Sequence, residues 1–482
     1  MFIGLDLGTS GLRAVIMSAA GTVMGDAQSP FTASHPKSGW SEQDPDVWVA
    51  ACQDCFRQLA KAHPDQMRVV QGIGLSGHMH GAVMVDDAGA ALRPALLWND
   101  TRAASQATKL DNDPQFRAIS GNIVFPGFTA PKVQWVIENE PEVFAKCAKV
   151  MLPKDYLRAW LTGITGTDMS DAAGTSWLAV GARRWSAELV EASGLTMDHM
   201  PNLLEGSNIV GTLRADIATG HGMDPTAIVV SGGADNAVAA CGAGCFEEGD
   251  GFVSLGTSGV VLAAKNSFAP DAASAVHTFC HAVPDRWYQM GVILAATDCL
   301  NWLSRTVGQS PAELSAQVTD AKPTELMFLP YLSGERTPHN NAHIRGAFIG
   351  LDVGHGPADL TKAVMQGVGF ALADNLQAIA STGTDLTRAL AIGGGARSEA
   401  WVQMIATILN LPLDVPDKGD FGAAIGAARL AQVGALDLDP AEVMTRPPVS
   451  KTINPDPKHI AAFADAHARY QSLYPLLKAT QT

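Results

Sequence analysis

The tetrapeptide Gly-Thr-Ser-Gly occurs twice, at residues 8–11 and 256–259, and each copy lies between two apolar runs of strand length. The first joins residues 2–7 to 12–17, the second joins 252–255 to 260–264, and the copies lie 256 − 8 = 248 residues apart in a chain of 482. One such turn is a common hairpin. Two of them half a chain apart, each restarting the same strand–turn–strand pattern, predict an internal duplication of one architecture.

The remaining pattern alternates strands and helices. Strands are predicted at 2–7, 12–17, 22–27, 69–75, 96–98 and 228–231, and helices at 48–62, 102–110, 131–140 and from 236 to about 245. After the acidic, glycine-rich stretch 247–251 the hairpin restarts. It is followed by strands at 326–329 and 390–392 and a long helix at 360–381. The expected fold class is α/β with two domains, 1–246 and 247–482, facing each other across a cleft. Residues 440–457 are Pro-rich and are expected to run over the surface. A closing helix at 458–474 is expected to stop at Pro475.

Lys and Arg total 33 against 48 Asp and Glu, a formal net charge of −15. That balance argues against a nucleic-acid partner, which needs a basic face. It leaves anionic ligands open, because backbone N–H groups and a metal ion can hold phosphate without net positive charge. The seven cysteines (52, 55, 147, 241, 245, 280 and 299) include one Cys-x-x-Cys at 52–55, inside a predicted helix and without a second pair at zinc-site spacing. They read as reduced thiols of a cytoplasmic protein. No secretion signal and no apolar run long enough to span a bilayer is present, so no membrane partner is expected.

Glycine at both ends of each turn is expected to permit unusual backbone angles, so that successive N–H groups converge on an anion. Thr and Ser add hydroxyls. Two such turns predict two jaws on one polyphosphate. Asp6 precedes only the first turn, with Ser254 at the equivalent place in the second. A carboxylate there is costly if ionised and unpaired, and a nucleotide-borne Mg²⁺ would satisfy it directly or through water. The alternative is a carboxylate held by backbone N–H groups.

In Ser231-Gly232-Gly233-Ala234-Asp235-Asn236 a strand ends in two glycines and delivers Asp235 to the start of a helix. One reading is an ordinary helix cap. The other is a general base taking the proton of a substrate hydroxyl as it attacks a γ-phosphate, with no strongly raised pKa required. The glycines are expected to leave room for a ligand. Gly393-Gly394-Gly395 follows another strand and is read either as a plain strand-to-helix turn or as a surface for adenine or ribose. No Gly-x-Gly-x-x-Gly and no Walker motif is present.

Together the stretches IGLDLGTSGLRAV (3–15), GLSGHMHGAV (74–83), LLWNDTRA (96–103), FTAPKVQWVIEN (128–139), SDAAGTSWL (170–178), GGADNA (232–237), SLGTSGV (254–260), FLPYLSGERTPHNN (328–341) and IGGGARSEAW (392–401) resemble the FGGY carbohydrate kinases, within the actin-like, ribonuclease-H-like ATPases. The resemblance runs over nearly the whole chain and looks closest to the branch that phosphorylates D-xylulose. It implies an ATP- and Mg²⁺-dependent transfer to O5, giving D-xylulose 5-phosphate, in D-xylose catabolism. It implies Asp235 as base and Asp6 at the Mg²⁺ and phosphates. It places Met79 and His80, with Trp98, Asn99 and Asn236, at the sugar. Gly8, Thr9, Ser10, Arg13, Gly256, Thr257 and Ser258 fall at the phosphates, and Gly394 and Gly395 at the adenosine.

Read without the resemblance, His78 and His80 look like surface histidines. Ala234 stands where a third glycine is expected and would slightly narrow the cleft. A homodimer is implied by the resemblance alone. The alternatives are another FGGY kinase acting on ribulose, fuculose, gluconate or glycerol, a nucleotide-dependent chaperone or filament protein on the same core, and a catalytically dead sugar sensor.

Overall fold

A computed structural model describes residues 1–417 and 422–481 of the chain. The first half supplies β1 (Phe2–Leu7), β2 (Gly11–Met17), β3 (Val23–Pro30), α1 (Pro45–Ala62), β4 (Gly72–Gly77), β5 (Ile209–Thr212), β6 (Ile228–Val230), β7 (Gly233–Ala234) and α2 (Asp235–Ala243). The second supplies β8 (Gly251–Leu255), β9 (Gly259–Lys265), β10 (His277–Cys280), β11 (Trp287–Ile293), α3 (Thr297–Val307), α4 (Pro357–Ala380), β12 (Ala389–Ile392), α5 (Glu399–Leu409), β13 (Leu413–Pro416), α6 (Ala423–Leu436), β14 (Val449–Ile453) and α7 (Ile460–Thr480).

Two seven-stranded mixed sheets result, ordered β5-β6-β4-β1-β2-β3, with β7 also on β4, and β10-β11-β9-β8-β12-β13-β14. The duplication holds at the level of register. In the first sheet β1 is antiparallel to β2 and parallel to β4, which sets Asp6 between Arg13 and Ser76. In the second, β8 is antiparallel to β9 and parallel to β12, which sets Ser254 between Val260 and Ile392. Asp6 and Ser254 are therefore equivalent, and one residue further so are Gly77 and Gly393.

Local sequence explains α1. Asp44 caps it by accepting the Asp46 N–H at 3.0 Å, Pro45 opens it, and Trp48, Cys52, Cys55, Phe56 and Leu59 form its buried stripe. Each large side chain in that stripe contributes about 1.5–3 kcal/mol by leaving water. Cys52 and Cys55 are part of this packing, and all seven cysteines are free. Pro64–Arg68 forms an extra helical turn with Val69 exposed as its cap, so β4 begins three residues later than the apolar run suggests.

α6 comes from the second half of the sequence yet packs on the first sheet. A Cβ on Gly4 would lie 1.7 Å from the Ala424 carbonyl oxygen, and one on Gly74 would lie 1.9 Å from that of Ala427. On its other side, a Cβ on Gly426 would lie 1.8 Å from the Val238 carbonyl oxygen of α2. These approaches are open to glycine only. Topologically α2 and α6 correspond, since each follows the second parallel strand of its sheet (β6, β13). A central apolar cluster consequently mixes both halves, with Val15, Val238, Phe252, Ala427 and Leu430 among its members.

One expectation about the C-terminal region holds and one fails. Residues 440–457 are mostly exposed, as expected, but the stretch is not irregular throughout: Val449–Ile453 pairs with β13 as an edge strand, and Thr452 Oγ1 donates to Asp414 Oδ1 at 2.6 Å. The last helix does not stop at Pro475 but continues to Thr480. Tertiary contacts hold the extra turn. Leu473 and Leu477 pack on the second core, Tyr474 stacks on His339 at 3.5 Å, and Gln481 accepts the Arg345 N–H at 2.7 Å.

Candidate active site

Both Gly-Thr-Ser-Gly turns open onto one cavity of about 380 Å³ between the two sheets, and Gly8, Thr9, Gly256 and Ser258 line it together with Asp235. The glycines do not act as expected, for none of the four takes a left-handed φ. Gly11 and Gly259 instead admit close neighbours: a Cβ would lie 3.0 Å from the Ser29 carbonyl oxygen and 2.6 Å from Ile293 Cγ1 respectively. Other residues hold the turns. Gln43 Nε2 donates to the Thr9 carbonyl at 2.7 Å, and Trp98 Nε1 donates to Thr9 Oγ1 at 3.0 Å. The Gly256 carbonyl accepts from Thr297 N at 3.0 Å and Thr297 Oγ1 at 2.8 Å, and the Thr257 carbonyl accepts from Ala296 N at 2.8 Å. Among the described residues, the backbone N–H groups of Thr9, Ser10, Thr257 and Ser258 have no protein acceptor. Each loop therefore spends its carbonyls on the scaffold and keeps donors for an anion.

Asp235 is the first residue of α2 and is not its cap, because the helix has no side-chain cap bond. Its Oδ1 accepts from Asn236 N at 2.7 Å and Asn236 Nδ2 at 2.9 Å. Burial raises its pKa to about 7; the Asn236 N–H opposes the rise and the Asp6 charge adds to it. The sequence argument required no raised value, and the structure supplies one because Asp235 shares a partly dry cleft with a second carboxylate. The two glycines before it serve the protein and not a ligand. Gly232, at φ 78°, would place a Cβ 2.1 Å from the Leu75 carbonyl oxygen, and Gly233 would place one 2.8 Å from Val238 Cγ2. Ala234 does not narrow the cleft; it belongs to the central apolar cluster. Its N–H donates to Ser170 Oγ at 3.0 Å, and Ser170 in turn bonds Asp168, whose other oxygen lies 2.7 Å from the buried Lys154 ammonium.

Burial also raises the pKa of Asp6, while the Ser76 hydroxyl and the Arg13 charge pull it down. Among the described residues no group of three or more His, Cys, Asp or Glu side chains is placed to hold a metal. The donor set fits a hydrated ion carried in by phosphate, as Mg²⁺ usually is, and does not fit a protein cage.

The loop after β4 brings Met79 and His80 into the cavity. Neither His78 nor His80 is a surface histidine. His78 is 3% exposed, neither of its ring nitrogens has a partner, and burial lowers its pKa to about 4. Burial drives that of His80 to about 3, so the ring is neutral. Its Nδ1 lies 2.7 Å from the Gly174 carbonyl. That contact assigns the proton to Nδ1 and leaves Nε2 as an acceptor for a hydroxyl. His80 sits at φ 69°, a left-handed position for a residue with a side chain, and such strain concentrates at functional sites. It is held there by its carbonyl, which accepts from Lys132 Nζ at 2.7 Å and Thr129 Oγ1 at 3.0 Å. Lys132 also donates to the Leu97 carbonyl at 3.0 Å, tying the His80 loop to the segment that carries Trp98.

Of the residues read from the sequence, Gly8, Thr9, Met79, His80, Trp98, Asp235, Asn236, Gly256 and Ser258 line this cavity. Asp6 does not line the cavity, but its charge acts on Asp235. Ser10 and Thr257 belong to the same turns without lining it, Asn99 is exposed, and Arg13 faces Asp26 at 3.8 Å. Gly394 and Gly395 line a second cavity of about 530 Å³ with Thr297 and Trp401. Thr297 thus touches both the second Gly-Thr-Ser-Gly turn and the glycine-rich turn. Sequence reasoning gave no role to Phe125, Phe128, His277 or Arg336, which also line the central cavity. Phe128, Lys132 and Arg336 stand inside quoted motifs, and Phe125 stands inside the stretch GNIVFPGFTAPKVQWV (121–136), which carries the same resemblance; His277 carries no local signal.

The N-terminal domain of the FGGY family of carbohydrate kinases matches residues 1–242, and the C-terminal domain of the same family matches residues 251–435. The chain is 45% identical over 479 residues to a xylulose kinase of Escherichia coli (strain K12), covering 98% of each protein. It is 37% identical to a xylulose kinase of Lactococcus lactis, covering 98% of this chain and 96% of that one. The crystal structure of a protein described as a xyloylose kinase from Brucella ovis superimposes with a TM-score of 0.98 at 51% identity over 99% of both chains.

Proposed function

The chain belongs to the FGGY family of carbohydrate kinases, with an actin-like fold and ATP as phosphoryl donor, and from that premise we propose that it phosphorylates D-xylulose at O5. The observation that carries the proposal is the central cavity, which gathers donors from both turns, the Asp235 carboxylate and the neutral His80 ring. The relatives at 45% and 37% identity act on xylulose by name, which favours that sugar over the other ketoses and polyols of the family.

In this reading the free N–H groups of the two turns hold the phosphates of ATP, and Gly394 and Gly395 lie along the adenosine. His80 Nε2 accepts a sugar hydroxyl, and Met79 and Trp98 cover the carbon chain. Asp235 accepts the O5 proton as the new O5–phosphorus bond forms and the β–γ bridging bond of ATP breaks, so that ADP leaves and the proton passes to solvent. Asp6 would hold Mg²⁺, directly or through water, and that ion would supply charge neutralisation at the phosphates. A division at 246/247, a homodimer and a cytoplasmic location complete the proposal. The two sheets support the first and the seven free thiols the last.

The test is ADP release with Mg·ATP and D-xylulose, D-ribulose, L-xylulose, L-fuculose, gluconate or glycerol, each against a sugar-free blank. A kcat/KM preference for D-xylulose is expected. Preference for another sugar would keep the kinase and discard the substrate, while sugar-independent ATP hydrolysis alone would discard both.

A further inference from the structure

Arg336 is the cation of the central cavity that the reaction above leaves unused. The backbone around it is fixed. The Glu335 N–H donates to the Asn341 carbonyl at 2.9 Å, and Glu335 Oε1 accepts from Leu294 N at 3.1 Å. Thr337 N donates to the Val292 carbonyl at 3.1 Å, and Thr337 Oγ1 donates to the Ala275 carbonyl at 2.9 Å. Both neighbours of Arg336 thus bind the loop to the scaffold, while its own guanidinium, among the described residues, has neither a hydrogen-bond acceptor nor an ion-pair partner. The guanidinium carbon lies over the face of Phe125, 4.5 Å from the ring centroid, and the adjacent Glu335 carboxylate acts on it through its charge without forming an ion pair. Five donors at the wall of a cavity with no acceptor are costly unless a ligand completes them.

Ring contacts locate this cation. Phe125 meets Phe128 at 5.4 Å, Phe128 stacks on His80 at 4.2 Å, and Phe125 meets His277 at 5.3 Å. Arg336 therefore belongs to the wall that holds the sugar-side histidines. Its charge helps to keep both His80 and His277 neutral, and is not among the charges acting on Asp235. An extended sugar with its reacting end at Asp235 presents its other end to this wall.

We propose that Arg336 recognises the ketone end of the substrate, its guanidinium donating to the C2 carbonyl oxygen and the C1 hydroxyl. The proposal rests on the ketose reading above. A donor-only group matches an acceptor-only carbonyl, and matches less well the hydroxyl that replaces it in a polyol.

The experiment uses the full chain as wild type, Arg336→Gln and Arg336→Lys. The sugars are D-xylulose and the two polyols formed by reducing its C2, xylitol and D-arabitol, used as substrates and as competitive inhibitors. Sugar affinity without nucleotide is read from tryptophan fluorescence, and thermal unfolding checks that each variant is folded. In Arg336→Gln we expect KM and Kd for D-xylulose to rise roughly 10- to 100-fold, the loss of a charged hydrogen bond, with kcat changed only a few-fold. Polyol affinity should change least, and Arg336→Lys should recover part of the loss. Unchanged D-xylulose affinity in a folded Arg336→Gln overturns the proposal, as does a fall in kcat alone, which would put the guanidinium on the transferring phosphoryl group. A wild type inactive on D-xylulose would instead overturn the parent reading.

Discussion

The two halves of the molecule place equivalent loops at equivalent strand ends and equip them differently. After β4 comes Gly77-His78-Met79-His80-Gly81, and after β12 comes Gly393-Gly394-Gly395-Ala396-Arg397. The first fills its cavity with two neutral imidazoles and a thioether. The second is nearly bare: a Cβ on Gly394 would meet nothing within 4 Å. The same contrast holds one residue before each turn, with Asp6 in one half and Ser254 in the other. Duplication provides two matching openings, and side chains equip them differently; in the proposed reading one contacts the sugar and the other lies along the adenosine.

The most severe break falls on a carboxylate: Asp235 opens α2, whereas Ala423 opens the corresponding helix α6. Asp235→Asn should lower kcat by roughly 10²-fold or more, the usual share of a general base, while Mg·ATP affinity stays near normal. Near-normal turnover would remove Asp235 from the role. The wild-type pH profile sharpens the point. The base acts as a carboxylate, so kcat/KM for the sugar should rise with pH up to about 7 and then level off. Stability moves the other way. The pKa is raised in the fold, so its stability cost is absent below the ordinary value of 3.8, grows as pH rises, and is complete above about 7. Asp235→Asn should therefore exceed the wild type in Tm at pH 8, with the excess shrinking toward pH 4. An excess that does not depend on pH would contradict the raised value.

Next in size is the asymmetry itself. Asp6→Ala should cost roughly 10- to 100-fold in kcat and weaken the response to Mg²⁺, as loss of a preorganised charge does. Ser254→Ala, at the equivalent position, should stay within about 3-fold, the cost of at most one neutral hydrogen bond. Equal effects of the two variants on the Mg²⁺ titration would show that the carboxylate is not what distinguishes the halves.

The duplication was legible because a turn between two apolar runs is a local pattern, and a local pattern survives being read without a fold. Asp6 and Asp235 were legible as candidates because they sit beside glycine-rich turns; the Met79–His80 pair came only from the family resemblance, for the residues alone suggested surface histidines. The roles of Lys132 and Arg336 were not. Lys132 is buried inside a helix and reaches His80 and Leu97, 52 and 35 positions away in sequence. Arg336 gains its place from the hydrogen bonds of Glu335 to Asn341 and of Thr337 to Val292 and from the face of Phe125, none of which spacing encodes. Glycine was legible as a signal and misread as a cause: Gly232 and Gly233 make room for Leu75 and Val238, and Gly4 and Gly74 for a helix more than 340 residues away. Pro475 was misread for the opposite reason. Its local cost was weighed without the contacts that hold the following turn.

Lys132→Met tests whether the sugar side depends on its pin. Methionine keeps the volume but removes the donors to the His80 and Leu97 carbonyls. His80 should then relax from its left-handed position, raising KM for the sugar roughly 10-fold while KM for ATP stays unchanged, because leaving buried carbonyls unpaired costs about 1–3 kcal/mol. A parallel rise in both constants would mean a general loss of structure.

The smallest expected effect lies in the bare loop, where two adjacent glycines differ in what surrounds them. Gly394 faces open space, whereas a Cβ on Gly395 would lie 2.9 Å from Leu255 Cβ and 3.1 Å from Thr297 Cγ2. Neither takes a left-handed φ, so alanine is permitted by the backbone at both. Gly395→Ala should therefore act on the protein, pushing on the residue that holds the Gly256 carbonyl and lowering Tm. Gly394→Ala should leave Tm within about 1 °C, as surface substitutions do, and raise KM for ATP a few-fold by adding a methyl where the adenosine would lie. Sugar KM should not move in either variant. If Gly394→Ala left the ATP constant untouched, the openness of this loop would have nothing to do with the nucleotide, and the contrast with the loop after β4 would reduce to a difference in packing.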